Sequence, residues 1–172
     1  MNDPFVKMIE EPQSEEAKNL FNAMRDNQGA VPKWMKVMAN NEDIMLPFFG
    51  MFKKIMDETP LPSDLKWKLA YKISEINECS YCVSVAKQKL EGFGISENAL
   101  ETLDEGLTER ELLAMQYAIE TNNNAFKIDP KLIDAVKKEF SDAEMVELVS
   151  VVGLFNFINR FNDSLGVLPD LE

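Results

Sequence analysis

Residues 73–96 read ISEINECSYCVSVAKQKLEGFGIS. Cys79 and Cys82 are the only cysteines of the chain, three residues apart in a stretch that reads as helical, and there is no histidine anywhere. A CxxC pair can close a disulfide within one helical turn, and a helix N-terminus favours the thiolate form of a cysteine. Two cysteines without a histidine are too few ligands for a tetrahedral zinc site. No metal and no other cofactor is therefore expected, and dithiol/disulfide redox chemistry is the first reading. The competing reading is packing alone, because cysteine is among the most buried residue types.

Outward from this stretch, Asn77-Glu78 looks like a joint, and Gly94 suits the left-handed residue that closes the CxxC helix. Upstream, Ser14 can cap a helix with Ala17, Leu20, Phe21 and Met24 on one face, and Gly29 ends that region. Pro32 suits the first turn of a short helix through Trp34, Met35 and Met38. Pro47 is expected to open the next, with Phe48, Met51, Phe52 and Ile55 inward, and Pro62-Ser63 another that runs to about Ile76. Downstream, Ser96 caps a short helix. Thr108 to Glu111 is a capping box that opens a helix to about Thr121. Asp129-Pro130 opens a helix to Phe140, and Ser141 to Glu144 is a second capping box. The helix after it, to about Leu165, is apolar on most sides, as expected of a buried central or interface helix. No strand alternation competes with this pattern. The chain is predicted to be all-α, a single-domain helical bundle of about eight or nine helices over 14–172, preceded by a loose acidic arm over 1–13.

The chain has 172 residues and a net charge of −12. An acidic surface without a basic run excludes nucleic acid and anionic membrane as partners, because phosphate binding needs cations. No stretch reaches the length of an apolar membrane span, and no signal pattern opens the chain. A cytoplasmic location is expected, and a reducing compartment makes a CxxC more often reactive than structural. The apolar last helix points to a homo-oligomer.

The stretch 73–96 resembles the core of the alkylhydroperoxidase D-like / carboxymuconolactone decarboxylase family. Gly29-Ala30-Val31-Pro32, the helix from Leu107 to Asn122, and the segment Phe155 to Phe161 with its "N..NR" pattern are similar to further pieces of that family. The resemblance implies a helical bundle of the alkylhydroperoxidase D-like type. It implies that Cys82 attacks a peroxide and that Cys79 resolves the resulting sulfenic acid to a disulfide. Its redox members also carry a relay that deprotonates the attacking thiol. The relay glutamate lies twelve residues before the first cysteine and the histidine four after the second; these positions are Trp67 and Ala86 here.

Without that relay, an ordinary thiol is only a few per cent thiolate near neutral pH. Nearby acidic groups raise a thiol's pKa further. The helix N-terminus, Lys72 and Lys87 are the groups that could offset this. Glu75, four residues before Cys79, is a substitute base if the helix continues through Asn77, and is otherwise a solvated charge. Tyr81 could donate a hydrogen bond or be a packed aromatic. Arg160, Asn156 and Asn159 form a polar stripe on an apolar helix and must find partners, in loops or in a neighbouring subunit. The function expected is a thiol-dependent peroxidase or dithiol/disulfide oxidoreductase. Its partners would be a small peroxide or disulfide substrate and a thiol electron donor. The alternatives are a catalytically degenerate member serving as an oligomeric binding or redox-responsive protein, and a decarboxylase, for which a histidine-free chain is poorly equipped.

Overall fold

Several helix starts in this chain are set by local side-chain chemistry. Ser14 Oγ accepts the Ala17 N–H at 3.2 Å, and Thr108 and Ser141 each open a capping box closed by Glu111 and Glu144. Each box satisfies two backbone donors that a helix end leaves exposed. The boxes also keep their carboxylates charged. Hydrogen bonds from Ser141 and Arg110 hold Glu144 below the usual carboxylate range. Burial pushes Glu111 up, but hydrogen bonds from Lys68 and Thr108 bring it below that range.

The computed structural model describes residues 3–96 and 106–169. Its helices are α1 (Glu15–Gln28), α2 (Lys33–Met38), α3 (Glu42–Met56), α4 (Ser63–Ile76), α5 (Ser80–Gly92), α6 (Glu109–Asn124), α7 (Pro130–Glu139) and α8 (Asp142–Ser164), with a 3-10 turn at Ala125–Lys127. There is no strand among the described residues, so the all-α expectation holds. The short helix expected after Ser96 lies outside the described residues.

Two compact units divide the chain. The first comprises Met1–Lys54 and Phe161–Glu172. Its buried side chains include Phe21, Trp34, Met35 and Met45, and the Trp34 ring meets Phe48 edge-on at 6.0 Å. Residues 3–13 are not helical. Backbone bonds hold them at Phe5 N to Leu165 O and Ile9 N to Lys36 O, and Glu10 pairs with Lys36. Within α3, Pro47 does not open the helix, which begins five residues earlier. Asn41 O accepts the Met45 N–H at 3.0 Å, and Glu42 and Asp43 supply the acidic first turn. Pro47 lies close enough to that start for the helix to continue past it. Met51, expected inward, is exposed, and Met45 is buried instead.

The second unit, Ile55–Arg160, carries the CxxC. There α4 packs against α5 and α6, and α6 packs against α7. Leu69, Ile73, Leu90, Met115, Val136 and Leu148 are fully or almost fully buried. So is Lys66, whose Nζ lies 3.0 Å from Glu147 Oε2 and donates to Asp57 O and Thr59 Oγ1 at 2.8 and 2.6 Å. Glu147 Oε2 also accepts the Leu61 N–H at 3.2 Å. One charge pair, its lysine fully buried and its glutamate partly exposed, thus ties the 57–61 loop to α4 and α8. Removing one member of such a pair strands the other in low dielectric. Glu147→Ala is expected to lower stability by about 3 kcal/mol in urea unfolding. Adding Lys66→Met to that variant should recover part of the loss, because the stranded charge is then gone.

Candidate functional site

The joint between α4 and α5 is a C-terminal helix lock. Asn77 is the cap of α4, Glu78 turns into the left-handed region at φ 60°, and Cys79 follows as the N-cap of α5. The Cys79 N–H donates to Ser74 O and the Glu78 N–H to Glu75 O, both at 3.0 Å. These are the two bonds that satisfy the last carbonyls of a helix in the Schellman pattern. The left-handed position is normally glycine, as Gly94 is where the chain leaves α5 at φ 83°. Here a glutamate occupies it.

This turn places both cysteines in the first turn of α5. Cys79 is fully buried, Cys82 is 4% exposed, and Tyr81 between them is buried. The first intrahelical bond of α5 runs from Val83 N to Cys79 O at 3.0 Å, so the backbone N–H groups of residues 80–82 form the helix's electropositive start. An anion on this turn is stabilised by those dipoles. Glu75 lies one residue before the end of α4, exposed, 3.8 Å from Lys72. The helix does not continue through Asn77, so the condition that would set Glu75 on a shared face with Cys82 is not met by one continuous helix. Trp67 and Ala86 are both buried, and the Trp67 ring meets Phe155 edge-on at 6.0 Å. Apolar packing thus occupies the two positions where the resemblance places acid–base groups. Among the described residues no cluster of three or more His, Cys, Asp or Glu could hold a metal, and no helix is long and apolar enough to cross a membrane.

The polar stripe of α8 finds its partners at this joint. Arg160 Nη1 donates to Asn156 Oδ1, and Asn156 Nδ2 donates to Asn122 Oδ1 at 2.7 Å. Asn122 Nδ2 donates to Asn77 Oδ1 at 3.2 Å, and Asn77 Nδ2 to Asn159 Oδ1 at 2.9 Å. Asn159 Nδ2 donates to Ser74 Oγ at 3.0 Å. The stripe therefore binds the last helix to the ends of α4 and α6. Sequence reading singled out Arg160, Asn156 and Asn159 but missed Ser74, Asn77 and Asn122. An asparagine at a helix end is a signal for capping, and it gave no hint of a partner in α8.

The same helical fold occurs in solved structures. The chain matches an uncharacterized peroxidase-related protein from Silicibacter sp. TM1040 with a TM-score of 0.85, over 99% of this chain and 91% of that one, at 21% identity. It matches the alkylhydroperoxidase AhpD core of an uncharacterized peroxidase-related protein from Ralstonia eutropha JMP134 with a TM-score of 0.84, over 97% and 92%, at 16% identity. The fold is that of the AhpD-like proteins. Another protein of similar structure is the debrominase Bmp8, whose C82A variant in complex with 2,3,4-tribromopyrrole matches with a TM-score of 0.76, over 95% and 91%, at 24% identity. Proteins built like this one are therefore chemically varied. In sequence, the chain is 25% identical over 114 residues to the uncharacterized protein YnjA of Escherichia coli K12, a stretch that covers 63% of each chain. No family model matches it.

Within the AhpD-like fold, the residue at the left-handed joint is open to test. A non-glycine residue there costs about 1–2 kcal/mol, and glycine returns part of that through its freer unfolded chain. Glu78→Gly is expected to raise stability by a net 0.5–1 kcal/mol, roughly, in chemical denaturation. An unchanged or lower midpoint would show that the Glu78 side chain contributes something that offsets its backbone strain.

Proposed function

We propose that this protein is a thiol-dependent peroxidase or dithiol/disulfide oxidoreductase that works through Cys79 and Cys82. The observation that carries the reading is the placement of both thiols in the first turn of α5, inside an AhpD-like helical fold. The roles follow the resemblance. The Cys82 thiolate attacks the hydroperoxide; a sulfur–oxygen bond forms, the oxygen–oxygen bond breaks, and the alkoxide takes up a proton and leaves as alcohol. Cys79 then attacks the Cys82 sulfenic acid; the disulfide forms, and the hydroxyl leaves with the Cys79 proton as water. A thiol donor returns the two electrons by disulfide exchange and is itself oxidised. Of the two candidate substitutes for the missing relay, Tyr81 fits this scheme as a buried hydrogen-bond donor between the cysteines, whereas Glu75 could serve only by reaching across the joint from its exposed place in α4. The scheme runs in the cytoplasm on a homo-oligomer, and the exposure of Val146, Val149 and Phe157 along α8 supports the assembly.

Burial of both sulfurs favours a second reading, in which the pair is a slow redox-responsive element without turnover. Reactive cysteines are usually partly exposed. Peroxidase assays with hydrogen peroxide and an organic hydroperoxide, a thiol donor and the Cys82→Ser and Cys79→Ser variants separate the two. Wild-type activity is expected to be slow and to rise with pH as the thiol ionises. Cys82→Ser should abolish it, and Ala86→His should raise it about 10²-fold if the new imidazole serves as base. Activity that survives Cys82→Ser would sink the cysteine mechanism. No peroxide turnover in wild type or Ala86→His, with a disulfide that still forms in a glutathione buffer, would establish the second reading.

A further inference from the structure

Arg160, four asparagines and Ser74 form one hydrogen-bonded chain that runs from an exposed guanidinium to a fully buried hydroxyl. Its links all point the same way. A guanidinium only donates, and the Val152 carbonyl, which only accepts, takes the Asn156 NH2 at 3.0 Å, so Asn156 presents its carbonyl to Arg160 and its NH2 to Val152 and Asn122. That choice fixes Asn122, then Asn77, then Asn159, each with its carbonyl toward Arg160 and its NH2 toward Ser74. Reversing a single amide would face two carbonyls or two NH2 groups across a half-buried gap, or a buried one at the Ser74 end, which is costly. Aligned links also polarise one another. The chain ends on the CxxC joint at two points. Asn77 is the cap of α4, and Ser74 supplies the carbonyl that accepts the Cys79 N–H.

We propose that Arg160 is a positioning residue for the CxxC. From the surface, its donor-only head acts with the Val152 carbonyl to set the direction of the amide chain. The directed chain holds the Ser74–Cys79 turn in the form that presents Cys79 as the N-cap of α5. The inference rests on the dithiol reading for its functional meaning, but the geometry it concerns is measurable without any peroxide.

The test is a series of variants ordered by hydrogen-bonding character. Arg160→Lys keeps a donor-only head, Arg160→Gln can donate or accept, and Arg160→Glu only accepts. Asn122→Asp is isosteric and removes the donor in the middle of the chain. Two rates are read on the reduced protein: iodoacetamide alkylation of Cys79 and Cys82, resolved by peptide mass, and hydrogen exchange of the Cys79 amide. Arg160→Lys should match the parent in both. Arg160→Glu and Asn122→Asp should raise both Cys79 rates about three- to tenfold, a usual size for coupling through a network, and Arg160→Gln should fall between. A change in alkylation alone would be a charge effect on the thiol and would overturn the proposal. So would a Lys variant that behaves like the Glu variant, or four variants within twofold of the parent. A protein inert to peroxides that keeps this ordering retains the inference and loses the peroxidase reading; an active peroxidase without the ordering does the reverse.

Discussion

Everything at the site depends on how α4 stops. The chain has three residues in which to leave one helix and enter the next, and it uses them for a helix lock whose left-handed residue is a glutamate. Two backbone hydrogen bonds close the lock, and the second of them fixes the residue that caps α5. Had α4 run on through Asn77, both cysteines would sit in the middle of a long helix, away from any free backbone donors. The break turns an ordinary pair of buried cysteines into a pair at an electropositive helix start. The tight joint in turn needs support against its strained backbone. The half-buried amide of Asn77, the buried amide of Asn159 and the buried Ser74 hydroxyl are what lies against it.

The sequence made the local features legible and hid the long-range ones. Ser14, Thr108 and Ser141 cap helices through bonds to residues three positions away, so their signatures survive in the linear order. Asn77-Glu78 read as a joint for the same reason. Pro47 misled because proline is common at helix starts, whereas Glu42 and Asp43 had already begun the helix. Met51 misled because inward and outward faces of a uniformly apolar helix differ only in what packs against them. Lys66 was invisible: nothing in the sequence says that a lysine will lose all contact with water, since this requires Glu147 from 81 residues away. The asparagine chain was half visible. Its α8 members stood out against an apolar helix, but Asn77 and Asn122 look like ordinary helix-end residues until α8 lies across them.

At the site itself, the residues that carry the redox reading and those that weaken it were both present in the linear text. The CxxC, the missing histidine and the tryptophan at the relay position are plain in the sequence. Its fate in space was not. Trp67 packs against Phe155, so the relay position has become part of the hydrophobic interior. Burial of Ala86 completes that change. The chain keeps the AhpD-like fold with apolar packing at both positions where the resemblance places the relay.

The burial of both sulfurs has a kinetic consequence. A group that reacts only in a transiently opened form reacts at its intrinsic rate multiplied by the fraction of time the site stands open. That fraction slows attack by every oxidant by the same factor if the opening is wide, so it lowers the overall rate and leaves the order of oxidants by intrinsic reactivity unchanged. The same fraction applies again to any second oxidant molecule. A sulfenic acid formed at Cys82 would be re-enclosed with Cys79 one helical turn away, and the intramolecular disulfide would form before a further encounter. If the pair is redox-active, closure would thus act as a ratchet that favours the reversible oxidation state over the sulfinic and sulfonic acids that lie beyond it.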